Sequence, residues 1–200
     1  MYSRKPNTVV GFHGCDESVR DDLLNGRSEM KSSSNNYDWL GPGMYFWDGN
    51  YDRALEWARQ AHVRGKIKRP AVVGCILDLG FCLDFLDSRY LALLKPAFDR
   101  LNAAATTAGF EMPHNLPLSR DEDLLIRHLD CAVIAMIHED REETGERAFD
   151  SARGVFWEGE PPYPTAGFRA KNHIQIAIRN PNCLKGFFLP RKPNSDYIMP

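Results

Sequence analysis

The chain has 200 residues, 43% hydrophobic and 26% charged, with a formal net charge of −2. That length suits one domain, or one domain with a helical insertion, and allows a substantial core. The charge balance excludes a general attraction to nucleic acid or anionic membrane but leaves a local basic patch open. The five cysteines, Cys15, Cys75, Cys82, Cys131 and Cys183, are scattered and form no Cys-x-x-Cys. This argues against a disulfide framework or a zinc ribbon and fits the reduced thiols of a cytoplasmic protein. The start, Met-Tyr-Ser-Arg-Lys-Pro, has no apolar stretch of the kind that directs secretion. No run of about 18 apolar residues exists, so no transmembrane helix and no membrane partner is expected.

Thr8 to His13 is predicted as a buried strand ending at Gly14. Asp16 can cap a helix from Glu17 to Leu24, which Asn25-Gly26 ends. Arg27 to Asp38 is polar and rich in Ser and Asn, the pattern of a mobile loop. Gly41-Pro42-Gly43 is a turn before a short strand, Met44 to Trp47. Tyr51 to Val63 is predicted helical, with Ala54, Trp57, Ala58 and Ala61 on one face. Ala71 to Leu79 is a second core strand. Ser88 to Ala108 is predicted as one helix and Glu111 to Leu118 as a loop. Asp121 to Thr144 is a second helical stretch, capped early by acids. Gly154 to Trp157, His173 to Arg179 and Leu184 to Leu189 are predicted strands. The order is β-rich, helical, β-rich. It predicts a single α+β domain over residues 1–200, its sheet built from both ends of the chain, with a helical insertion at about 88–150.

Several routes to chemistry fail on residue pattern. Neither Gly-x-Gly-x-x-Gly after a strand, nor a P-loop, nor Gly-x-Ser-x-Gly is present. Cys15 and His13 alternate along one strand, so a Cys–His nucleophile pair is conceivable, but a free cysteine beside a strand is more often packing. His138 and Glu142 share a helix face without the second histidine of a zinc protease, so no metal is expected. Arg64, Lys66, Lys68 and Arg69 could meet a polyanion or simply form a solvated helix end.

Three segments remain: Phe12-His13-Gly14, then Gly43-Met44-Tyr45-Phe46, then Asn172-His173-Ile174-Gln175-Ile176-Ala177-Ile178. In this order they resemble the ADP-ribosyltransferase superfamily, in the diphtheria-toxin-like branch that includes the poly(ADP-ribose) polymerases. The resemblance spans most of the chain, except the helical middle. It implies an ADP-ribosyltransferase-like split β-sheet core with inserted helices and a mono-ADP-ribosyltransferase using NAD as co-substrate. His13 would bond a ribose hydroxyl of the adenosine half, and Gly14 would offer its backbone to the nicotinamide carboxamide. Tyr45 would stack on the nicotinamide, with Trp57 as the second wall. Arg53 stands where the family often has a serine. Gln175 stands where the catalytic glutamate usually does, which argues against polymer elongation. Glu158 and Glu160 are the candidate substitute bases, or else solvated loop acids. The acceptor would be a protein, RNA or DNA. An intracellular toxin or defence effector fits the resemblance, and a toxin would imply a neutralising partner. The alternative is an inactive NAD or ADP-ribose reader of the same fold.

Overall fold

The computed structural model describes residues 8–117, 123–192 and 195–197. Its first strand, β1, runs Thr8–Asp16 and does not turn at Gly14 as the sequence predicts. The reason is a partner. β3 (Pro70–Asp78) pairs with it antiparallel along its whole length, from Thr8 opposite Asp78 to Asp16 opposite Pro70. Local signals then set the next elements. Asp16 caps α1 (Glu17–Leu24), accepting from the Ser18 N–H at 3.1 Å. β2 is Met44–Asp48, and α2 is Tyr51–Val63, capped by Asn50 accepting from Arg53 N–H at 3.1 Å. Ala54, Ala58 and Ala61 form the buried face of α2, but Trp57 does not join them and stays 39% exposed.

The middle departs most from expectation. A short strand, β4 (Cys82–Asp84), precedes two helices rather than one, α3 (Ser88–Leu91) and α4 (Leu94–Ala108). Pro96 explains the break, because its ring clashes with a helical carbonyl four residues back, at Ala92. In the first turn of α4 the same proline is tolerated. The predicted loop contains β5 (Asn115–Leu116), paired with β6 (Ile126–Arg127). The next helix, α5, is His128–Glu143. Of its predicted early residues, Asp121 and Glu122 lie outside the described residues, as does Leu118 of the predicted loop. The cap of α5 comes from afar: Asn115 Oδ1 accepts from the N–H groups of Leu129 and Asp130 at 2.9 and 3.2 Å. The end of the chain returns to β structure with β7 (Ser151–Phe156), β8 (His173–Ile178), a 3-10 turn and β9 (Leu184–Phe188).

The strands form one seven-stranded sheet, ordered β4-β7-β8-β2-β1-β3-β9. β4 and β7 are parallel and the other neighbours antiparallel, so the fold is α+β with a large mixed sheet. One face carries α2 over β1 and β3, with Trp47, Ala54 and Val72 between them. Beside it, α4 and α5 close a core containing Leu40, Leu83, Val133, Ile137, Phe156 and Ala177. The opposite face buries Met44, Phe46, Cys75, Leu77, Ile176 and Ile178. Among the described residues, no helix is long and apolar enough to cross a membrane.

Candidate functional site

The sheet is nearly divided in its middle. β1 and β2 pair only at Gly11 opposite Asp48 and Phe12 opposite Trp47, while β2 stays paired with β8 from Met44 to Trp47. The carbonyl of Val10 accepts from Gly49 N–H at 2.8 Å. Alternate residues of a strand direct their backbone groups to the same neighbour. Val10, Phe12 and Gly14 therefore all turn toward β2, and at Gly14 the ladder has already ended. His13 fills the place of the missing rung. Its Nδ1 lies 2.8 Å from the Tyr45 carbonyl oxygen. A carbonyl only accepts, so Nδ1 carries the proton. Burial lowers the His13 pKa, opposed by that hydrogen bond, so the ring is neutral with a lone pair on Nε2.

Gly14 is also needed for a reason the sequence does not show. A Cβ there would sit 2.2 Å from the backbone oxygen of Ala54. The close neighbour on that side is α2, so only the strand edge of Gly14 faces the gap. Tyr45 is half-buried. Its hydroxyl accepts from Leu40 N–H at 2.9 Å and donates to the Gly41 carbonyl at 2.6 Å. Burial raises its pKa. The phenol end thus anchors the turn before β2, leaving ring surface as what it can offer a ligand.

Gln175 lies on β8 directly opposite Trp47. Trp47 is 5% exposed, and its indole N–H has no hydrogen-bond partner among the described residues. Trp57 stands beside it, ring centroids 6.0 Å apart. The structure thus places Tyr45, Trp47 and Gln175 on adjoining strands with Trp57 beside Trp47 from α2, whereas His13 reaches the gap from the opposite face, its ring 5.9 Å from that of Phe46. An ion cluster closes one side. Arg53 bonds Glu158 at 2.6 Å and also Glu56, which Lys171 meets at 2.8 Å. Glu158 is therefore held against the site, 3.8 Å from His173 Nδ1, as an ion-pair partner of Arg53. Glu160 is exposed. Sequence reasoning missed Trp47, His173 and the Arg53–Glu158 pair. The alternation His173-x-Gln175 and Tyr45-x-Trp47 was the available signal, since such residues share a strand face.

The competing sites fare differently. Cys15 is buried, which pushes its thiol up to about 11, the opposite of an activated nucleophile. His138 packs edge-on against Phe149, and the described residues hold no metal-binding group of His, Cys, Asp or Glu. In the basic cluster, Arg69 pairs with Glu17 at 2.9 Å, and the backbone N–H groups of Lys68 and Arg69 are taken by Asp16. Comparison of the chain with protein-family models, curated proteins and solved structures finds no match.

Proposed function

We propose that the chain is a NAD-dependent mono-ADP-ribosyltransferase with the split-sheet architecture of that superfamily. The observation that carries this reading is the gap between β1 and β2. His13, Gly14 and Tyr45 border it, and Gln175 lies one strand further on. The residues suit NAD. Gly14 turns a backbone edge toward the gap, just past the last β1–β2 pair, where a carboxamide has the donor and acceptor to meet it. Trp57 and Tyr45 offer aromatic surface to the nicotinamide.

In this reaction the bond from ribose C1′ to the nicotinamide nitrogen breaks, and its electron pair leaves with nicotinamide. The acceptor's nucleophile forms a new bond to C1′ and gives up its proton. The transition state is oxocarbenium-like, as in glycoside hydrolysis. Nicotinamide leaves without needing a proton, so the protein's part is geometry and electrostatics. Gln175 keeps a hydrogen bond to the ribose but is no base. Losing a general base costs about 10²–10⁴ in rate, roughly 3–5 kcal/mol. One transfer to a good nucleophile fits that loss, and chain elongation does not. Glu158 is held in an ion pair with Arg53.

The acceptor is a protein or a nucleic acid in the cytoplasm, as for an intracellular toxin or defence effector with a neutralising partner. Incubation with labelled NAD and cell lysate, followed by protease or nuclease, tests this. Label lost to one of the two treatments identifies the acceptor class, and absence of label from both fractions counts against transfer. The uncharged Gln175 favours a second reading, an NAD or ADP-ribose reader. That protein would bind NAD without releasing nicotinamide.

A further inference from the structure

His173 and Gln175 are two residues apart on β8 and face the same side of the sheet. Gln175 Nε2 lies 3.2 Å from His173 Nε2, and His173 Nδ1 lies 2.7 Å from the Lys171 carbonyl oxygen. The second contact decides the first. A carbonyl has no proton to give, so Nδ1 donates to it, and in the neutral ring Nε2 is then a bare lone pair. Only an N–H can meet that lone pair. The amide NH2 of Gln175 is therefore the group turned to His173, and the amide oxygen is turned away. No hydrogen bond to that oxygen is made among the described residues, whereas His173 is 5% exposed and packs beside both Trp39 and Phe156, whose rings also touch each other.

We propose that His173 is a positioning residue that fixes the Gln175 amide so that its carbonyl oxygen faces the ligand and selects a hydrogen-bond donor there, namely a ribose hydroxyl. This rests on the reading of the site as an NAD site. It also changes the meaning of the glutamine. A carboxylate at 175 would face the His173 lone pair with no proton between them. The amide is the group this histidine accommodates, so glutamine is the working residue of the site rather than the mark of a lost activity. The neutral ring is favoured by its surroundings. Burial, with Arg53 and Arg127 nearby, holds its pKa down at about 4, against the opposing influence of the Lys171 carbonyl and Glu56. Glu158 also faces it.

The test compares binding of NAD with binding of its analogue lacking the 2′-hydroxyl on the nicotinamide ribose, by calorimetry, in wild type, His173→Phe and His173→Gln. Phenylalanine keeps a ring against Trp39 and Phe156 but removes the acceptor, while glutamine restores an acceptor. Wild type should prefer NAD by about tenfold, the worth of one good hydrogen bond. His173→Phe should prefer it by less than about threefold, and His173→Gln should recover most of the difference. Equal preference in wild type and His173→Phe overturns the positioning role. Failure of wild type to bind either compound overturns the NAD reading itself. Nitrogen NMR of the wild-type imidazole is independent of any variant's folding. It should find the proton on Nδ1 and none on Nε2, and a proton on Nε2 overturns the proposal.

Discussion

The imidazole of His13 bonds the backbone carbonyl of Tyr45 at 2.8 Å, where a continuing ladder would place the N–H of Gly14. One side chain thus both joins the two halves of the sheet and holds them apart. His13→Ala should lose that bond at a cost of about 1 kcal/mol, or a few degrees in melting temperature. The variant should stay folded and bind NAD at least about tenfold more weakly, since a good hydrogen bond is worth roughly that factor. Calorimetry on the folded variant checks this, and unchanged affinity would remove His13 from the site.

Gly14→Ala should be far more damaging to the fold. The new Cβ would meet the Ala54 carbonyl oxygen at 2.2 Å, and neither β1 nor α2 can give way cheaply. Overpacking of this kind costs about 1–3 kcal/mol or more, which corresponds to roughly 2–12 °C in a chain of this size. Thermal unfolding measures it, and a melting temperature equal to wild type would show that α2 is not held against β1 as described.

Trp57 separates binding from stability in the other direction. It is 39% exposed and contributes little to the core. Trp57→Ala should change stability by less than about 1 kcal/mol, as exposed substitutions do. It should still weaken NAD binding, because an aromatic wall is removed. An equal affinity in the variant would mean that Trp57 faces solvent and not the ligand.

Stability should fall in acid as two histidines held neutral by burial are forced to take up protons. Burial lowers His173 to about 4 and His138 to about 3, well below the ordinary value of 6.5. The unfolded chain then binds more protons than the folded one, so stability rises with pH in this range. The contribution of each histidine is complete above pH 6.5 and is lost as pH falls toward its folded value. For His173 the full loss is about 3 kcal/mol. His138→Leu should flatten its share of the slope in a plot of melting temperature from pH 7 to 4. A variant slope equal to that of wild type would contradict this.

The sequence made visible what local chemistry decides. Asp16 announces the start of α1, and the β-branched runs announce β1, β3 and β8. Long-range partners decided the rest. β1 continues past Gly14 because β3 supplies hydrogen bonds along its whole length. The α5 cap arrives from Asn115, thirteen residues before the helix begins. Pro96 was a readable signal for the break between α3 and α4, overridden by the apolar stripe around it. At the site, the choice of buried tryptophan depended on how α2 settles on the sheet, which leaves Trp47 covered and Trp57 at the rim. The role of His173 depended on a tautomer that only the Lys171 contact reveals.

Nicotinamide release from NAD, measured for wild type and Gln175→Ala with and without RNA and lysate protein, decides whether the chain is a transferase. Wild type should release nicotinamide at a rate that rises with one class of acceptor and falls in Gln175→Ala. Absence of release from wild type under every condition, while NAD still raises its melting temperature, would contradict a transferase and leave a nucleotide reader.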